Sequence, residues 1–130
     1  MVKAVNIDDM LAGLPVLQGR TAETPEDDVA KTFATLGQLG GAGIFTGRFS
    51  GESRWERHGK GDELVHVLAG QTRLEILTDD GPQIMELNAG MLTVVPQGCW
   101  HRFQAAEVVT ILTVTPQPTD HSTVDDPRQD

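Results

Sequence analysis

Between Glu56 and His66, five side chains share two chemistries: Glu56, His58, Asp62, Glu63 and His66. Imidazole and carboxylate are the groups that move protons near neutral pH and offer lone pairs to cations. A solvated charged loop would account for the acidic residues. It would not account for two imidazoles, or for the apolar run "LVHVLA" that Glu63 opens. A second segment, "AGMLTVVPQGCWHRF", carries an apolar stretch into Pro96 and Gly98 and then reaches His101.

The elements that must position these groups are strands. In extended chain, residues two apart share a face. Glu56 and His58 therefore point the same way if "RWERH" is extended, "GKGD" turns the chain, and Glu63 begins the next strand on the face of Val65 and Val67. Glu56, His58 and Glu63 can thus converge across one hairpin, while His66 falls on the other face. Pro96 presets one turn angle and Gly98 supplies the permissive one, so their turn fixes where His101 points.

From Val29 to Pro116 the chain reads as short β-type runs: "VAKTFATL", "AGIFTGRFS", "ELVHVLAG", "QTRLEILT", "PQIMEL", "MLTVVP", "HRFQA" and "VVTILTVTP". Turn-forming clusters separate them, and "TDDGPQ" reads as a hairpin. Many short strands without an amphipathic helix between them predict an all-β sandwich or barrel over 29–116. Residues 1–28 read as an arm with a short helix, "DDMLAGL", in which Asp8 is the expected N-cap and Gly13 the stop. Residues 117–130, rich in Pro, Asp and Thr, read as a flexible acidic tail that leaves His121 in solvent. "GQLGGAGIFTG" lacks the Lys-Ser/Thr ending and following helix of a phosphate loop, so its glycines are expected at bulges and a turn.

Composition narrows the function classes. Ten basic against nineteen acidic residues in a chain of 130 leave a net charge of −9. Nucleic acid and anionic membrane would both be repelled. Two Trp, four Phe and no Tyr make a poor base-stacking surface. The one cysteine, Cys99, can form no internal disulfide and reads as a packing thiol. The N-terminus, broken by Asp8 and Asp9, does not read as a signal peptide, so a cytoplasmic protein is expected.

The two polar segments together resemble the motifs of a small single-domain cupin, the double-stranded β-helix jelly roll. That family's first motif places His-x-His, four residues, Glu, six residues and Gly. Here Glu56-Arg57-His58 is followed by "GKGD", Glu63, "LVHVLA" and Gly70. The second motif is matched in full by Gly90, "MLTVV", Pro96-Gln97-Gly98, "CW" and His101. The resemblance spans residues 44–115, and "WERHGKGDELVHVLAG" is similar to a bacterial subgroup of small cupins with no assigned role. This chain departs from the pattern with Glu56 for the first histidine, Ala105 for a frequent Asn, and the opening Gly shifted to Gly51.

What the resemblance implies is a divalent metal held by His58, Glu63 and His101, with Glu56 as a fourth ligand or as a general base. Two imidazoles and a carboxylate suit Fe, Mn, Ni or Zn, and a ligating Glu56 would tilt the choice to Fe or Mn. The expected function is a metal-dependent dioxygenase acting on a small molecule. The alternatives are a non-catalytic metal-binding or sensing module and a metal-dependent isomerase or lyase. Trp55 and Trp100 read as wall residues, Arg54, Arg57, Lys60 and Asp62 as a charged rim, and Phe45, Phe49, Leu74, Ile76 and Phe103 as inward. Lys and Arg are scarce at inward positions and Tyr is absent, which leaves no obvious acid or substrate clamp. Exposed edge strands and the N-terminal arm predict a homodimer.

Overall fold

The computed structural model describes residues 2–129. Ten strands form one sheet that folds over on itself as a jelly roll. They are β1 (Leu17–Arg20), β2 (Phe33–Leu39), β3 (Ala42–Glu52), β4 (Trp55–His58), β5 (Glu63–Ala69), β6 (Gln71–Thr78), β7 (Gly81–Asn88), β8 (Leu92–Val95), β9 (His101–Pro116) and β10 (Thr119–Ser122). The expected all-β double-stranded helix with a short N-terminal helix is the fold observed.

One long strand holds the two halves together. The C-terminal part of β9 runs between β3 and β5, and its N-terminal part lies against β6 and β4. The sequence reading divided this stretch into two strands at Ala106–Glu107. The chain instead continues through that exposed point, because no Gly or Pro interrupts residues 101–115. Between the halves sits a core of Phe49, Val65, Val67, Leu74, Ile76, Leu87, Val95, Phe103, Val109 and Ile111. Phe49, Leu74, Ile76 and Phe103 are inward as expected; Phe45 is only half-buried, its ring folded over Gly43.

The arm and the tail are both structured. Helix α1 (Ile7–Ala12) is capped by Asn6, whose side chain accepts from the Asp9 amide, so the cap lies two residues before the expected Asp8. Arg48 anchors the end of that helix by donating to the carbonyls of Leu11 and Leu14. Residues Val29 and Ala30, read as strand, close a second short helix, α2 (Glu26–Ala30). Pro25 before it and three acidic residues in its first turn explain the difference.

The segment read as a flexible tail contains β10, which pairs antiparallel with all four residues of β4. Composition favours mobility there, but β4 presents an edge whose amides need partners, and β10 supplies them. The "TDDG" hairpin forms as expected, with the Thr78 hydroxyl donating to the Gly81 carbonyl. The glycines of the Gly-rich stretch fall at a register shift beside Gly37 and at the turn at Gly40.

Candidate metal centre

Two loops close on one another to build the centre. Gly98 takes a positive φ in the turn after β8, and its amide donates to the His58 carbonyl at 3.0 Å. The Gln97 amide donates to Asp62 and its side chain to the Gly59 carbonyl. Glu63 faces Val95 in the ladder, one residue before Pro96. The "GKGD" and "PQG" turns are therefore laced together, and His101 enters β9 beside the hairpin that carries His58 and Glu63.

Within that frame, His58, Glu63 and His101 each offer a ligand atom, all within 4.8 Å of one another. Their exposures are 3%, 5% and 1%. Glu63 Oε2 lies 3.4 Å from His58 Nε2, and Oε1 lies 3.0 Å from His101 Nε2. Other groups hold the outer side of each ligand. His101 Nδ1 lies 3.1 Å from the Cys99 carbonyl, and His58 Nδ1 lies 3.0 Å from the Thr119 hydroxyl. With Nδ1 as the donor in both, each Nε2 turns its lone pair inward. Thr115 donates to Glu63 Oε2 at 2.6 Å.

The inner atoms have no such partners. His58 Nε2, Glu63 Oε1 and His101 Nε2 are buried without a hydrogen bond, the short Glu63–His101 approach being misaligned for one. An orphaned buried polar atom costs about 1–3 kcal/mol, so three converging on one point form an arrangement that a divalent cation fits. Burial alone would raise the Glu63 pKa. The neighbouring His101 and His58 outweigh it and hold the carboxyl at about 2. Burial likewise would lower the His101 pKa, but Glu63, with Glu56 adding, drives it upward. Without metal, the centre is an ion pair in waiting.

Glu56 does not join this cluster. It pairs in register with His101, but its Oε2 lies 3.7 Å from Nε2 of His121 on β10. Burial works against its ionisation, yet His121, His101 and Arg20 together lower its pKa. Glu56 in turn raises the pKa of His121, which also reaches Glu26 at 3.2 Å. His121 is exposed, as expected, yet tied to Glu56 and Glu26 rather than free.

The remaining candidates surround the centre. His66 lies on the face opposite Glu63, half-buried against Leu92 and Leu112 in the ladder. Cys99 packs against the core, where burial, with Asp79 and Asp62, pushes its thiol up. Trp55, Trp100 and Leu77 form a separate buried cluster, with Arg102 stacked on Trp55 and Arg57 on Trp100. Arg57 also pairs with Asp120, and Arg54 with Glu26.

Sequence reasoning missed Thr115, Thr119 and Arg20. Strand parity could have found Thr113 and Thr115, which share the inward face of β9 with Ile111. The sequence holds no signal for Thr119, since its role depends on β10 pairing. Arg20, only 7% exposed, is one inward cation where few were expected.

A family model described as cupin domain matches residues 47–115. Among solved structures, a cupin-2 domain containing protein from Shewanella frigidimarina is 23% identical with a TM-score of 0.61, over 87% of this chain and 94% of that one. A protein from Neisseria meningitidis is 18% identical with a TM-score of 0.62, over 88% of this chain and 100% of that one. A hydroquinone 1,2-dioxygenase solved with Cd2+ and 4-hydroxybenzonitrile is 20% identical with a TM-score of 0.58, over 83% and 85%. At such identities the likeness shows the fold. No curated protein matches the chain.

Proposed function

The chain belongs to the cupin domain family, and from that premise we propose a metal-dependent protein of dioxygenase type acting on a small organic molecule. The observation that carries the reading is the convergence of three partnerless ligand atoms from His58, Glu63 and His101. Fe or Mn is favoured over Ni or Zn by the hard carboxylate oxygen and the second carboxylate nearby. Such a metal supplies Lewis acidity and one-electron chemistry with oxygen when bound. The chain's own residues do the rest. Thr119 and the Cys99 carbonyl fix the two imidazoles, Thr115 orients Glu63, and the core rings of Phe49 and Phe103 exclude water.

In this reading Glu56 is the general base. It stands beside His101 in the ladder, outside the ligand cluster, and His121 and Arg20 keep it ionised. The fold relative that is a hydroquinone dioxygenase supports the choice of reaction type. An isomerase or lyase would use the same centre as a Lewis acid alone. The deep burial of the three ligands favours a second reading, a module that holds metal or a small ligand without turnover.

The metal content of protein purified without added metal tests the centre. Stoichiometric metal in wild type, lost in His101→Ala, supports it; equally low metal in both overturns it. Oxygen uptake with candidate phenols, thiols and diketones then separates dioxygenase from module. No helix among the described residues is long and apolar enough to cross a membrane, and we place the protein in the cytoplasm. We also expect a homodimer. Leu92 and Val94 are 57% and 49% exposed on a face that continues through Leu64, His66, Leu112 and Val114 without an acidic residue, unlike the surface of a chain carrying −9. A monomeric mass at micromolar concentration would refute this.

A further inference from the structure

Arg20 is a buried charge whose nearest carboxylates, Glu56 and Glu26, act on it from beyond ion-pair distance. It is 7% exposed, and among the described residues it makes no ion pair and no side-chain hydrogen bond. Its guanidinium lies 5.1 Å from the centre of the fully buried Phe49 ring. Phe49 meets Phe103 edge-on at 6.0 Å, and Phe103 meets His101 edge-on at 6.2 Å. A run of packed rings thus connects the guanidinium to the metal centre. Glu56 feels the charges of both Arg20 and His101, so it stands between them electrostatically.

The chain goes to some length to put the cation there. β1 pairs parallel with β3, and its register slips between Leu17 and Arg20, where Gly19 takes a φ of +67°. The slip lets Leu17 and Arg20, three residues apart, both face the core. β1 then crosses so close that a Cβ on Gly51 would lie 2.1 Å from the Arg20 carbonyl oxygen.

A buried guanidinium is costly unless its donors are met, and a ring face meets none of them. Its planar fork matches a carboxylate through two parallel hydrogen bonds. We propose that Arg20 anchors a carboxylate on the small molecule taken by the metal centre. The inference rests on the proposed function for its site and names the substrate class. A monocarboxylate suits the charges better than a dianion, because Glu56 and Glu26 already act on Arg20 and would repel a second negative charge.

The test uses the full chain, metal-loaded, titrated by NMR with acetate, propionate and benzoate and with the matching neutral amides. Wild type binds at least one carboxylate about tenfold or more tighter than its amide, the value of a charge-assisted pair. Arg20→Met, which keeps an apolar stem over Phe49, removes that preference to within about twofold, and its Tm does not fall. Arg20→Lys retains part of the preference; should Arg20→Met not fold, a loss of about threefold or more in Arg20→Lys carries the same conclusion. In His101→Ala, a preference that still depends on Arg20 separates this anchor from the metal, whose loss is read independently by metal analysis. Equal preference in wild type and Arg20 variants, or no carboxylate favoured over its amide, would overturn the proposal.

Discussion

Replacing Glu63 with Gln in metal-free protein isolates the electrostatic core of the centre. The carboxyl lies near 2 in the fold against an ordinary 4.5, held there by the two imidazoles against the pull of burial. At 1.36 kcal/mol per pKa unit, that depression is worth roughly 3 kcal/mol. The sign follows from where the protons sit. A carboxyl with a depressed folded pKa binds more protons unfolded than folded between those values, so its contribution is complete above about pH 4.5. It is lost as pH falls toward 2. Urea unfolding of chelator-treated wild type and Glu63→Gln at pH 5.5 and pH 2.5 measures it directly. Wild type should lose about 2.5 kcal/mol more than the variant across that interval, the carboxyl still being partly ionised at pH 2.5 and carboxylates common to both cancelling. Parallel pH dependence in the two proteins, within about 0.5 kcal/mol, would refute the ion-pair account of the site. His101 bounds the window from above: its raised pKa adds stability that is present at low pH and lost as pH rises through it.

Thr119→Val removes the acceptor for His58 Nδ1 without changing side-chain volume much, so metal affinity should fall about 10- to 100-fold in a competition with a chelating dye while the fold is kept. Unchanged affinity would show that β10 does not orient the imidazole. Gly51→Ala asks a residue with φ of +101° to carry a Cβ against the Arg20 backbone, and thermal melting should show a loss of about 2 kcal/mol or more. A neutral result there would mean that β1 can retreat from β3 without cost. Leu74→Ala, at a position with no exposure, should cost about 2–5 kcal/mol in the same assay; a smaller loss would mean that the wall of the roll collapses to fill the space.

Strand pattern, turn chemistry and the two histidine segments were legible in the sequence because each is local. Alternation in "ELVHVLAG" places Glu63 with Val65 and Val67 whatever partner strand they meet, and the structure buries all three. The Pro96–Gly98 turn is likewise written in residues that can do little else, and it delivers His101. Non-local pairing is a different matter. "TDHS" has the composition of a loop and becomes β10 only because β4 has an open edge; with it come Thr119 on His58 and His121 on Glu56. The partner of Glu56 could not be read from its place in a motif, since it is a histidine 65 residues away in sequence. Parity in β1 has no meaning until the slip at Gly19 is known, and that slip exists only against β3. By itself the sequence determined which side chains can bind and roughly where strands begin. Only the tertiary structure decided which of them meet, because backbone pairing between distant segments sets that, and no single segment encodes its partner.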